Sequence, residues 1–165
     1  MARPAGLPLD ARTLLRLRGL ALRLTGDPEF AEDVAQETAL RALREGTPRD
    51  LPYLFRVVLN LVRTEARRVL RRRTGGYTDL DLVADPGSPE PLQRLVAEER
   101  NARVWAALGE LPERERAALL LRFSEELSCD EIARVLGASP NAVSCLIHRG
   151  KEHMRTILSP GSTVR

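Results

Sequence analysis

The stretch Ser128–Arg155, SCDEIARVLGASPNAVSCLIHRGKEHMR, spells two short helices joined by a tight turn. Ser128 followed three residues later by Glu131 is a capping-box start, in which each side chain satisfies the other residue's backbone N–H. Ile132, Val135 and Leu136 give the first helix a buried face, and Gly137 supplies the turn. Ser139 and Pro140 then open a second helix as N-cap and first helical residue. A helix, a glycine-containing turn and a second helix form the helix-turn-helix that reads DNA. Plain core packing produces the same pattern, so the rest of the chain has to decide.

Composition narrows the choice. The chain has 165 residues, 43% of them apolar, which suffices for one ordinary domain or two small ones. No apolar run approaches the roughly 18 residues of a membrane span, and MARPAGLPLD lacks the apolar core of a signal peptide, so a cytoplasmic protein without membrane insertion is expected. Cys129 and Cys145 form no C-x-x-C pattern and imply neither a disulfide framework nor a zinc module. The net charge of +3 hides an asymmetry: residues 1–73 carry 15 arginines against 9 carboxylates, residues 74–91 carry 4 carboxylates and no cation, and residues 92–165 are nearly balanced.

Three amphipathic helices are expected in the first part. Leu7–Leu24 places Leu14, Leu17, Ala21 and Leu24 on one face, Asp27-Pro28-Glu29 restarts the chain into a helix ending near Arg44, and Asp50 caps a third from Leu51 to about Arg73. Residues 74–91, TGGYTDLDLVADPGSPEP, lose the helical period and read as an acidic linker. Beyond it, Val96, Val104, Trp105 and Leu108 line one helix, and Pro112 opens another through Leu119, Leu120 and Phe123. The expected fold is therefore all-α, two small helical domains, the second a four-helix unit ending in the helix-turn-helix. The segment after Pro160 is expected to fray.

The outward faces carry the chemistry. On the second helix Phe30, Ala31, Val34, Thr38 and Ala42 take the core side. Asp33, Glu37, Leu40 and Arg44 form an outer stripe with Gln36 at its margin. A solvated face is the ordinary reading of such a stripe; an exposed leucine among acceptors also fits a docking surface for an arginine-rich partner helix. On the third helix Leu54, Val57, Val58, Leu61, Val62 and Ala66 take the core side, while Tyr53, Arg56, Asn60, Arg63, Arg67 and Arg71 fall together elsewhere. Spaced guanidinium groups neutralise phosphates, and an aromatic ring with an amide at one end suits unstacked bases. On the last helix Val143, Ile147, Gly150 and Met154 face inward. Asn141, Ser144, Cys145, His148 and Glu152 face outward, flanked by Arg149, Lys151 and Arg155. Asn141 and Arg149 are the candidate base-reading groups. No metal site, cofactor site or catalytic constellation is expected: no glycine-rich phosphate loop, no nucleophile elbow, and the two histidines lie together near one helix end.

In this order the segments resemble the extracytoplasmic-function (ECF) sigma factors, compact sigma subunits of bacterial RNA polymerase in the sigma-70 family. AEDVAQETALRAL, Ala31–Leu43, is similar to the family's region 2.2, which implies that Asp33, Gln36 and Glu37, with Leu40 and Arg44 beside them, bind the β′ clamp helices of core RNA polymerase. YLFRVVLNLVRTEARR, Tyr53–Arg68, resembles regions 2.3 and 2.4, which implies that Tyr53, Arg56, Asn60 and Arg63 open the minus-ten element of promoter DNA and hold the melted non-template strand. Gly46–Pro52, with Arg49, would be the base-capturing loop. Leu111–Arg155 resembles regions 4.1 and 4.2, implied to bind the β flap and the duplex minus-thirty-five element. The resemblance thus assigns residues 1–73 to region 2, 74–91 to a linker and 92–165 to region 4.

Several positions depart from the family pattern. Its aromatic after Gln-Glu-Thr is Ala39, its tryptophan is Tyr53, the cation before the asparagine is Leu59, and the Lys-Ser-Arg of its recognition helix is Ser144-Cys145-Leu146. The last change leaves three readings open: an unusual upstream sequence, weaker upstream binding, or a protein contact at Leu146. Asp79, Asp81 and Asp85 of the linker would lie toward the RNA exit path, in a basic channel that later accepts RNA. The exposed surfaces lead one to expect an anti-sigma factor as a further partner. A helix-turn-helix regulator acting without polymerase, or an inactive sigma-like interaction protein, are the competing readings.

Overall fold

The computed structural model describes residues 9–45, 50–72 and 91–159. Among them the chain forms seven helices: α1 (Ala11–Thr25), α2 (Pro28–Arg44), α3 (Leu51–Arg72), α4 (Pro91–Glu110), α5 (Glu113–Phe123), α6 (Cys129–Leu136) and α7 (Pro140–Leu158). No strand occurs among the described residues. Arg49, the linker acids Asp79, Asp81 and Asp85, and the segment from Pro160 lie outside them.

Local chemistry sets most boundaries. Asp10 caps α1 by accepting from the Thr13 amide at 2.8 Å, so the helix begins at Ala11 rather than at Leu7. Asp27 accepts from the Glu29 and Phe30 amides at 3.0 Å each, with Pro28 in the first turn. Ser128 and Glu131 form the reciprocal capping box, at 3.2 and 2.8 Å. Gly137 ends α6 in the left-handed region at φ 61°, and Ser139 caps α7 by accepting from the Ala142 amide. Pro112 lies one residue before α5, as its N-cap without a side-chain bond.

α1, α2 and α3 pack on one another, and α4, α5 and α6 gather around α7. Leu17, Leu20, Ala21, Ala31, Val34, Leu54 and Val58 fill the first group; Ala117, Leu121, Ile132, Val135 and Val143 fill the second. Gly150 lets α7 lie close on α5, since a Cβ there would meet Leu119 Cδ1 at 3.0 Å. Arginines serve as backbone caps in the second group. Arg116 donates to the Gly109 and Leu111 carbonyls, Arg114 to the Leu136 carbonyl and Arg122 to the Leu127 carbonyl.

Both groups share one buried core, because α3 lies against α6 and α1 against α5. This contact explains where the sequence periodicity misleads. Phe55 and Leu59, flanking the expected core stripe of α3, are fully buried, while Ala66, expected inward, is exposed. Val104 and Phe123 are exposed as well, although both fall on apolar repeats.

Candidate polymerase and nucleic-acid interfaces

The outer face of α2 stands as expected. Asp33, Gln36, Leu40 and Arg44 are exposed and Glu37 is half-buried. Leu40 is 46% exposed, and Leu43, one turn on, is 66% exposed, an apolar neighbour that the 3.6-residue stripe did not single out. Glu37 holds Arg41 at 2.7 Å and Gln36 donates to Glu32 at 3.2 Å, so two acceptors of this face are pre-oriented by helix neighbours. Asp33 has no such tether among the described residues. The result is a patch of two exposed leucines rimmed by carboxylates, suited to an apolar helix edged with cations.

The stripe on α3 is partly committed to other contacts. Arg56, Asn60 and Arg67 are exposed, and neither Arg56 nor Arg67 has an ion-pair partner among the described residues. Tyr53 is half-buried and its hydroxyl donates to Glu45 at 2.9 Å, bracing the end of α2 against the start of α3. Asp50 caps α3 by accepting from the Tyr53 amide at 3.1 Å and also accepts from Arg134 of α6 at 2.5 Å. Burial pushes the Asp50 carboxyl up, but the Arg134 guanidinium and the Tyr53 amide outweigh it and hold the group below the usual aspartate range. Arg63 is only 24% exposed and pairs with Glu113 of α5, so in this arrangement it does not face solvent with the rest of the stripe. The side chain of Arg71 lies outside the described set.

On α7, Asn141, Ser144, Cys145, His148, Arg149, Lys151, Glu152 and Arg155 are all exposed, and Val143 and Gly150 are buried. Its cations, however, each have a neighbour within the chain. Lys151 Nζ sits 5.0 Å over the Phe123 ring, Arg149 lies 3.9 Å from buried Glu115, and Arg155 pairs with Glu152. His153 Nδ1 is 2.6 Å from the same Glu115. Leu146 is buried in the chain's own core, and Ser144 Oγ lies 3.8 Å from Cys129 Sγ on α6. The protein contact considered for Leu146 is therefore intramolecular. What remains outward is a mostly neutral, hydrogen-bonding surface at the start of the helix.

These features define an all-helical protein of two helix groups, the second ending in a helix-turn-helix. Residues 9–74 match the family description Sigma-70 region 2, and residues 101–154 match Sigma-70, region 4. The chain is 36% identical over 155 residues to the ECF RNA polymerase sigma factor SigE of Mycolicibacterium smegmatis, covering 90% of this chain and 59% of that one. It is 30% identical to the ECF RNA polymerase sigma factor SigL of Mycobacterium tuberculosis, covering 96% of both chains. Among solved structures it is similar to the Mycobacterium tuberculosis extracytoplasmic function sigma factor SigJ, with a TM-score of 0.62, 30% identity, and coverage of 87% of this chain and 51% of that one. In fold it also matches the sigma factor RpoE of Bartonella quintana, solved with the anti-sigma factor NepR, with a TM-score of 0.70, 20% identity, and coverage of 89% and 92%. The chain belongs to the sigma-70 family, in its ECF group. It is a transcription initiation factor. No described helix is long and apolar enough to cross a membrane.

Proposed function

We propose that this sigma factor binds core RNA polymerase through the α2 face, directs it to promoters and helps to melt their minus-ten element from α3. Leu40 and Leu43 dock against the β′ clamp helices, with Asp33, Gln36 and Glu37 taking cations of that partner. Tyr53 and Asn60 receive unstacked bases, and Arg56, Arg67 and a released Arg63 hold phosphates of the non-template strand. The C-terminal unit, residues 92–165, binds the β flap and reads the minus-thirty-five duplex through Asn141, Ser144, Cys145, His148 and Arg149. The linker, residues 74–91, joins this unit to the region 2 block, residues 1–73, and an anti-sigma factor is the expected regulator, as the complex of RpoE with the anti-sigma factor NepR suggests by analogy. The setting is the cytoplasm.

The observation that carries this reading is the presence, on one three-helix block, of two surfaces of different chemistry: an exposed apolar patch rimmed by carboxylates on α2, and on α3 the exposed Arg56, Asn60 and Arg67 beyond a half-buried Tyr53. A regulator that only grips duplex DNA needs neither. The test is promoter-selected run-off transcription by core polymerase with the full chain, with permanganate reactivity reporting melted thymines. Failure to bind core removes the reading; binding and promoter selection without permanganate reactivity remove the melting role.

A further inference from the structure

Glu115 is a buried carboxylate on α5 that none of the surfaces above employs, its side chain only 6% exposed. Both of its oxygens turn to α7. Oε2 lies 2.6 Å from Nδ1 of His153, and Oε1 lies 3.9 Å from Nε of Arg149, one helical turn earlier. The approach depends on Gly150 between them, where a Cβ would meet Glu115 Cβ at 3.5 Å and Leu119 Cδ1 at 3.0 Å. An ionised carboxylate only accepts, so Nδ1 of His153 carries the hydrogen of the short bond. The separation from Arg149 is too long for a hydrogen bond and leaves an attraction between charges. Arg149 and His153 are otherwise turned outward, with 61% and 51% of their side chains exposed.

The neighbouring charges have other contacts. On α5, Arg114 and Arg116 donate to the carbonyls of Leu136, Gly109 and Leu111, Arg122 donates to that of Leu127, and Glu113 pairs with Arg63. On α6, Glu131 accepts from the Ser128 amide, Arg134 pairs with Asp50, and Asp130 is exposed. Arg103 and Glu110 of α4 are exposed; on α7, Lys151 lies over Phe123, Glu152 pairs with Arg155, and His148 is exposed.

We propose that Glu115 is a positioning residue for Arg149 and that His153 governs it. With His153 neutral, the buried carboxylate holds Arg149 back from DNA; with His153 protonated, the imidazolium takes over the carboxylate and frees Arg149 for a phosphate of the upstream duplex. This deepens the minus-thirty-five reading above and rests on it. Charge and distance give the direction. Arg149 offsets the Glu115 charge while His153 is neutral, and protonation adds a second cation at 2.6 Å, nearer the carboxylate than the guanidinium at 3.9 Å. Attraction rises as separation falls, so the guanidinium is the cation displaced. Histidine is the side chain whose charge ordinarily changes between about pH 5 and 8, so upstream affinity should rise as pH falls across that range.

Two measurements test this. Heteronuclear NMR of the full chain, free of polymerase, follows the His153 ring and the Arg149 Nε–Hε resonance from about pH 8 to about pH 5.5. The Arg149 resonance is expected to move with the midpoint of the His153 ring, and to stay in place in His153→Gln. An Arg149 resonance that ignores the ring overturns the coupling, whatever the promoter reading. The second measurement is fluorescence anisotropy of the holoenzyme on a duplex promoter fragment selected by that holoenzyme, at about pH 8 and about pH 6. Dividing the wild-type affinity by that of His153→Gln at each pH cancels the titration of His148 and of the polymerase. The ratio is expected to rise about fivefold at the lower pH, the contribution of one duplex phosphate contact at about 0.15 M salt. His153→Arg, charged throughout, is expected to keep the tighter binding at both values. In an Arg149→Ala background the effect of His153→Gln is expected to vanish; if it persists, His153 acts through general charge and the positioning role is overturned. A ratio that does not change with pH overturns the DNA role. These variants change only exposed positions, so the outcome does not depend on replacing Glu115 itself. Absence of promoter binding by every holoenzyme counts against the promoter reading, while the NMR titration still decides the coupling.

Discussion

Arg67 and Arg68 are adjacent exposed arginines on α3, and the structure gives them different duties. Arg67 has no ion-pair partner among the described residues, whereas Arg68 lies 3.7 Å from Glu65. A free guanidinium that neutralises one phosphate releases a counterion and contributes about 0.7 to the salt slope for a single strand, or about 0.9 for duplex. Between about 50 and 200 mM salt that contribution amounts to roughly a threefold change in affinity. Arg67→Ala should therefore flatten the salt dependence of promoter binding by about one contact. Arg68→Ala removes a cation whose charge Glu65 already offsets, and should change the slope by less than half as much. Fluorescence anisotropy of a labelled promoter fragment with the holoenzyme, repeated across a potassium chloride series, measures both slopes. Equal slopes for the two variants, or a larger change for Arg68→Ala, would refute the assignment of the stripe.

Other perturbations separate docking, core and the contact between the two helix groups. Leu40→Asp places a third acid beside Asp33 and Glu37 and removes the apolar centre of the α2 patch; competition for core polymerase should weaken by about 2 kcal/mol, roughly 30-fold, with thermal stability unchanged because the position is exposed. Leu59→Arg restores the cation typical of the family at a position only 1% exposed, and should cost at least about 2 kcal/mol for lost burial, with a further cost for the unpaired charge, read as a lower urea midpoint. Asp50 has a folded-state pKa held below its ordinary 3.8, so the stability its contacts with Arg134 and the Tyr53 amide contribute is present above that value and is lost as pH falls through the depressed one. Small-angle X-ray scattering between about pH 5 and 2 should show the Arg134 contact weakening only below about pH 4, and Asp50→Asn should remove that acid limb.

The elements that local chemistry determines were legible in the chain. Asp27-Pro28, the Ser128 and Glu131 box and Ser139-Pro140 each act within four residues, and each produced the helix start that the residue types imply. The outward positions on α2 and α7 followed from the 3.6-residue period for the same reason. What the period could not supply was any face buried by a distant element. Phe55 and Leu59 lie beside the expected core stripe of α3 and are fully buried, on a helix that meets α1 and also α6, some 70 residues later. Glu125 stands in the charged run Ser124–Glu126, which reads as a solvated turn, and nothing in its spacing announces Arg16, 109 residues earlier. Val104 and Phe123 failed in the opposite sense, apolar residues on expected helix faces that the fold leaves uncovered.

The recognition helix shows how such long-range burial changes a functional reading. Compared with the family's Lys-Ser-Arg, the run Ser144-Cys145-Leu146 first reads as two cations lost from a DNA-facing surface. The fold divides the three positions. Ser144 and Cys145 are exposed, while Leu146 is buried beside Val143 in the core cluster. A guanidinium at 146 would have to displace this packing or turn its stem outward along the helix, so leucine there exchanges a surface charge for core burial of about 2 kcal/mol. Only the change at Ser144 then subtracts a cation from the outward face. Because Arg149, Lys151 and Arg155 already have neighbours in Glu115, Phe123 and Glu152, the proposed reading of DNA by that face should rest mainly on neutral donors and acceptors. Upstream binding by this helix should accordingly be less salt-dependent than binding by the α3 stripe, and a larger share of its free energy should come from hydrogen bonds to base edges at Asn141, Ser144 and His148.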